Sequence, residues 1–169
     1  MSMAIKNVMV NWCTGTKLDK NNSWSVKADV DQDFVKLFTS FKNEGCRGDL
    51  KVIDHESTQE THLPDSMFSF NFHRSSKKYE NPPLIVDKDG NPLLASIGNG
   101  SICHIQFAKG KPWPDFPGKD GSTVKGGYSL VLEIIKVMEL VVYKSEDGDR
   151  VVEKDSTPIK PAFDEAGLI

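Results

Sequence analysis

Two periods organise the hydrophobic positions of this chain, and the shorter one dominates. In Trp24-Ser-Val-Lys-Ala-Asp-Val30 every second residue is apolar, so Trp24, Val26, Ala28 and Val30 share one face and Ser25, Lys27 and Asp29 the other. Side chains alternate across a strand, and this is the pattern of a half-buried one. Met67-Phe-Ser-Phe-Asn-Phe-His73 repeats it, with Phe68, Phe70 and Phe72 on one face. Residues 5–14 and 102–109 are rich in β-branched and aromatic residues and predict two more strands, with a short one at 50–53 and another at 84–86. The run 128–143 is long enough for a helix, but its four valines and two isoleucines favour a long strand, bent by a bulge near Glu133 to Lys136.

The helical period governs one segment. Asp31 or Asp33 can cap it, Phe34, Leu37, Phe38 and Phe41 recur at helical spacing, and Gly45 ends it. Turn-rich stretches separate the elements: 15–22, the polar 48–64, Asn81-Pro-Pro83, Asp87-Lys-Asp-Gly90, and a loop dense in Gly, Pro and Lys at 109–127. The order is strand, strand, helix, then three or more strands. That predicts a mainly β fold, a small closed or partly open barrel. Its core should take Phe68, Phe70, Phe72, Cys103, Ile105, Phe107, Leu130 and Leu132.

Size and charge narrow the picture. A chain of 169 residues suits one ordinary domain or a smaller one with a tail, and excludes a TIM barrel or a two-domain dehydrogenase. The net charge of −3 at first argues against a nucleic-acid binder, but its distribution reverses that. Beyond residue 143 the acidic residues Glu146, Asp147, Asp149, Glu153, Asp155, Asp164 and Glu165 outnumber Lys144, Arg150, Lys154 and Lys160, and the remaining chain is neutral. Hydrophobic periodicity also stops there. The expected organisation is a folded domain over 1–143 and a flexible acidic tail over 144–169. Cys13, Cys46 and Cys103 are odd in number and widely spaced, which favours free thiols in a reducing cytoplasm. The N-terminus has no signal-peptide h-region, and no stretch reaches membrane-span length.

Catalytic and cofactor motifs fail on inspection. Gly110-Lys111 and Gly118-Lys119 are followed by Pro112 and Asp120, not by the Ser or Thr of a phosphate loop. Gly98-Asn-Gly100 lacks a third glycine and opens a strand. Asp87-Lys-Asp-Gly90 reads as a tight turn rather than a calcium loop. His55, His62, His73 and His104 lack zinc spacing, and Cys103 and His104 must face opposite sides of a strand. Asp54, Glu56 and Glu60 could form a nuclease-like acidic cluster, but read more simply as a solvated loop. No serine sits in a nucleophile elbow. The expectation is a protein without catalytic function, metal or cofactor.

What the sequence does offer is cations interleaved with aromatics. His73, Arg74, Lys77, Lys78 and Tyr79 form one cluster. Lys109, Lys111, Trp113, Phe116, Lys119, Lys125 and Tyr128 form another, a basic arm. Single-stranded nucleic acid is bound this way, with cations tracking phosphates and rings stacking on bases. His104 and Gln106 are expected on the exposed strand face between the clusters. The alternative is a protein-interaction or assembly module on the same barrel, in which the Trp113 loop and the tail bind proteins and the lysines only solvate.

The order of three segments adds weight to the first reading. Asn81-Pro-Pro-Leu-Ile-Val-Asp-Lys-Asp-Gly90 is followed by Ile97-Gly-Asn-Gly-Ser101 and by Lys125-Gly-Gly-Tyr-Ser-Leu-Val-Leu-Glu-Ile-Ile-Lys-Val-Met-Glu-Leu-Val142. The chain thereby resembles the phage single-stranded DNA-binding proteins that have an OB-fold and an acidic C-terminal tail. The match is good over 68–143 and looser before it. The resemblance implies a five-stranded Greek-key barrel that coats single-stranded DNA during phage replication, recombination and repair in the cytoplasm of the infected bacterial host. It also implies a tail that contacts replisome proteins such as a polymerase or helicase-primase, and it allows a homodimer. The tail here departs from the family pattern, because its aromatic, Phe163, lies six residues before the end.

Overall fold

The structure, a computed structural model, describes residues 2–143 and the segment Arg150–Glu153. Five strands close a barrel: β1 (Ser2–Asn11), β2 (Ser23–Val30), β4 (Phe68–Ser75), β6 (Ser101–Lys109) and β9 (Leu130–Tyr143). Their order around the barrel is β1-β2-β4-β9-β6 and back to β1. All these contacts are antiparallel except β4 with β9, a parallel seam that closes the barrel at His73 opposite Val131. This is the OB-type Greek key that the family resemblance implies, and it closes the small barrel expected from the strand pattern. Short strands decorate it. β3 (Lys51–Val52) lies on the edge of β4, β5 (Leu84–Asp87) runs parallel to β9, and β7 (Phe116–Pro117) pairs with β8 (Thr123–Val124).

The alternation read from the sequence decides which side chains enter the barrel. Val26 and Ala28 pair with Phe72 and Phe70, and Val26, Ala28 and Phe72 are fully buried. The helix α1 (Gln32–Asn43) closes one end. Asp31 is its N-cap, accepting the Phe34 N–H at 2.9 Å, and Gly45 terminates it at φ +97°. Phe34, Phe38 and Phe41 face the barrel, whereas Leu37 stays exposed at the rim. The ring of Phe38 lies 4.8 Å from that of Phe70, Phe70 lies 4.9 Å from Phe72, and Phe72 lies 5.0 Å from Phe107. Removing one of these rings should cost about 3–5 kcal/mol.

Bulges in the β1–β6 and β6–β9 pairings shape the barrel. Phe107 pairs with Leu132 and Gln106 with Ile134, so Glu133 is the extra residue, where the sequence placed a bend. A second shift in the same pairing leaves Met138 unpaired. In β1 the shift lies between Ile5 and Val8, and Asn7 takes φ +56° there. All three cysteines are free thiols, and burial pushes Cys13 up to about 11. Part of the acidic segment is described: Arg150–Glu153 forms β10, antiparallel to the end of β9. The tail residues Glu146, Asp147, Asp149, Asp155, Phe163, Asp164 and Glu165 lie outside the described residues.

Candidate nucleic-acid interface

OB barrels bind oligonucleotides on the outer face of their second and third strands, between the loops that join strands one to two and four to five. In this chain those strands are β2 and β4, and the loops are residues 12–22 and 110–129. The outer face alternates with the core face, so it carries Ser25 and Lys27 from β2 opposite His73 and Asn71 from β4. Asn71 is exposed and His73 is half-buried. Loop 12–22 approaches His73 through Asp19, whose carboxylate accepts from the Ser25 hydroxyl at 3.1 Å. Burial opposes ionisation of Asp19, but the N–H groups of Ser23 and Asn21, the Ser25 hydroxyl and His73 outweigh it and lower its pKa.

On the other side stands the basic arm. The sequence reads as a loop here, and the structure makes it a hairpin. Backbone bonds join Gly110 to Ser129 and Trp113 to Gly127, and β7 pairs with β8 beyond them. Glycine is required where the hairpin is pinched. A Cβ on Gly126 would lie 2.1 Å from the Trp113 carbonyl oxygen, and one on Gly127 would lie 2.3 Å from that of Gly45. The close approach turns Trp113 toward loop 76–80, where the Lys78 ammonium lies 4.8 Å from the indole centroid. Trp113 and the exposed Phe116 then line an open, largely apolar cleft of about 500 Å³ with Pro114 and Val124, rimmed by Lys78 and Arg47. A smaller recess beside it joins Trp113, Lys111, Tyr79 and His73. A flat aromatic surface edged by cations suits a nucleobase with its phosphate.

The structure therefore brings together His73, Lys78, Tyr79, Lys111, Trp113 and Phe116. Lys77, Lys119 and Lys125 are exposed on the same loops. Arg74 has a supporting role. Its Nε donates to the Asn81 carbonyl, its Nη1 to that of Leu132, and its guanidinium lies 4.6 Å from the centre of the Tyr79 ring, holding that ring in place. Lys109 is exposed but engaged, 3.1 Å from Glu44 and above the Phe41 ring.

Three expected contact residues are not surface groups. Tyr128 is only 9% exposed, and its hydroxyl donates to Glu44 at 3.0 Å, so it anchors the base of the arm to the end of α1. Burial and the Glu44 carboxylate together raise its pKa. His104 and Gln106, expected on an exposed face, are 8% and 5% exposed. The outside of β6 is taken up by the bulges of its two neighbours, β1 and β9. The His104 Nδ1 accepts the Asn7 N–H of that bulge, and Gln106 donates to Glu133. Strand alternation tells inside from outside of the barrel, but not whether the outside is wet.

Arg47 is the residue the sequence reading missed. It follows α1, its N–H donates to the Tyr128 carbonyl, and its guanidinium reaches the Lys125 carbonyl across the arm. The only local signal was an arginine set between Gly45 and Gly48.

No protein-family model and no curated protein matches the chain. Solved structures do share its fold. The single-stranded DNA-binding protein gp2.5 of bacteriophage T7 aligns with a TM-score of 0.54 at 14% identity, over 87% of this chain and 91% of that one. The single-stranded DNA-binding protein of bacteriophage Enc34 aligns with a TM-score of 0.52 at 11% identity, over 98% and 89%. The resemblance inferred from the order of the motifs thus holds at the level of the fold.

Proposed function

We propose that this chain, which shares its barrel with two phage single-stranded DNA-binding proteins, is itself a non-catalytic, sequence-independent binder of single-stranded DNA. The observation that carries this reading is the cleft between the arm and loop 76–80. There Trp113 and Phe116 offer exposed ring surface, and Lys78 and Arg47 stand at its rim without a carboxylate within ion-pair distance among the described residues. No base-specific arrangement is needed, because every base has a face to stack and a phosphate to neutralise.

In this role the protein coats exposed strands during phage DNA replication, recombination and repair in the infected bacterial cytoplasm. The acidic segment beyond residue 143 contacts replisome proteins such as a polymerase or helicase-primase, and competes with DNA for the basic arm. The charge balance of the sequence supports this, since the acidic excess lies wholly in that segment.

Titration of tryptophan fluorescence with oligo-thymidine at two salt concentrations tests the binding. The expected result is quenching, with affinity falling by a log–log slope of about −0.7 per phosphate neutralised. No binding in dilute buffer would overturn the reading and leave the barrel as a protein-interaction module. Deleting residues 144–169 should tighten binding at low salt, and unchanged affinity would remove the competition.

A further inference from the structure

The arm supplies rings at one side of the β2–β4 face. We infer that Trp12 supplies a second base-stacking platform at the opposite side, so that a bound strand is clamped by an indole at each end. The inference rests on the single-stranded DNA reading above and extends it to a residue outside both basic clusters.

Trp12 occupies a bulge. Asn11 pairs with Lys27, and pairing resumes where the Thr14 N–H donates to the Ser25 carbonyl at 2.9 Å. Trp12 and Cys13 therefore oppose the single residue Val26. Cys13 packs against the core, and Trp12 is the extra residue turned outward. Bulges re-aim side chains in this way. The first bulge residue takes the left-handed conformation, where glycine is preferred, yet here a tryptophan adopts φ +53°. A bulky residue held in that region is strained, and such strain points to a use for the side chain.

The strained indole gains little burial, for Trp12 is 50% exposed. It is nevertheless held firmly. Its backbone N–H donates to Asn99 Oδ1 at 2.8 Å, and its Nε1–H donates to Glu60 Oε1 at 2.7 Å. The same Glu60 oxygen accepts from Lys27 Nζ at 2.7 Å, which fixes the ring on the outer face beside β2. One edge of the indole is thus tied down and a broad part of the ring is left to solvent, the presentation a stacking platform requires. Lys17 and Lys20, both exposed on loop 12–22, bring cations to this side as well. Along the outer face from β1 to the β9 seam, where the arm begins, the path crosses β2 and β4, about 14 Å of strand spacing, with Asn71 and His73 on the way.

The test separates a platform from a structural tryptophan by oligonucleotide length and by stability. In the full chain, Trp12→Gly removes the ring and relieves the left-handed backbone. Affinity for an oligo-thymidine of about 20 residues should fall between about fivefold and a hundredfold. A thymidine dinucleotide, whose two bases are joined by a single phosphate, is too short to reach both ends, and its affinity should not change. The thermal midpoint should hold or rise. Trp12→Phe should retain part of the affinity for the long oligonucleotide. In a Trp113→Phe background, the long oligonucleotide should still quench fluorescence, since the other remaining indole, Trp24, is buried. Absence of that quenching, or equal affinity of wild type and Trp12→Gly for the long oligonucleotide, would overturn the inference while leaving DNA binding intact. So would a fall in thermal midpoint without a length-dependent loss. Failure of the wild type to bind either length would instead remove the DNA-binding reading, and this inference with it.

Discussion

Two long loops border the candidate face and treat it in opposite ways. Residues 54–66 carry Asp54, Glu56, Glu60 and Asp65 and no Lys or Arg, and the barrel holds them down by side-chain bonds. Asn11 exchanges two hydrogen bonds with the Thr61 backbone. Asp29 accepts from the Leu63 N–H and contacts His62 at 2.6 Å, and Lys27 pairs with Glu60. Residues 110–129 carry Lys111, Lys119 and Lys125 against Asp115 and Asp120, and their lysines point outward. The arm is shaped by its own backbone pairing and leaves Trp113 and Phe116 at the surface. The acidic strap ties Glu60 and His62 to the barrel, and the basic arm leaves its lysine side chains in solvent. Charge of either sign in a loop says little about function until its partners are known.

The largest effect should come from the arm's rings. Trp113→Ala is expected to weaken oligo-thymidine binding by about 1–3 kcal/mol, read by fluorescence anisotropy, with little change in thermal stability. An unchanged affinity would place the DNA elsewhere. Gly126→Ala should mimic it from a distance. The added Cβ collides with the Trp113 carbonyl, so the arm must shift and binding should fall several-fold, while circular dichroism still reports a folded barrel. Replacing Lys77 and Lys78 together with Ala should weaken binding less, and equally for all sequences. The salt slope should become shallower by about 0.7 for each phosphate that is no longer neutralised. A loss confined to one base composition would contradict sequence-independent coating.

The strap should yield the smallest effect, seen in stability against pH. Burial raises the pKa of Glu60, but bonds from Lys27, Trp12 and His62 outweigh it and bring the carboxyl down to about 2, from an ordinary 4.5. A carboxylate with a lowered folded pKa stabilises the protein fully above its unfolded value. That contribution is lost as pH falls from 4.5 towards 2. The thermal midpoint of the wild type should therefore drop more steeply than that of Glu60→Gln across this window, measured by calorimetry. Parallel curves would mean that the strap is not held by this charge.

Much of the barrel was legible because burial imposes a period. Val26, Ala28, Phe70 and Phe72 fall on the core face by alternation alone, and Phe34, Phe38 and Phe41 by helical spacing. A bend was legible between Glu133 and Lys136, and the bulge falls at Glu133. The arm's Trp113 and Phe116 were legible as surface candidates because prolines and glycines around them forbid regular burial. Tyr128, His104 and Gln106 were misplaced because their neighbours come from distant parts of the chain: the end of α1 for the first, and the bulge of β1 and Glu133 of β9 for the others.

Sequence by itself determined the strands of the barrel, the helix, the side of each that faces the core, and the segregation of acidic from basic segments. These follow from local periodicity and from charge, which are properties of neighbours along the chain. Only the tertiary structure decided that Arg47 joins the arm, that Arg74 and Lys109 are engaged, and that Trp12 is turned out of its strand. Those facts depend on which groups meet across the closed barrel, and a bulge or a crossing loop changes them without altering the pattern of residues that encodes it.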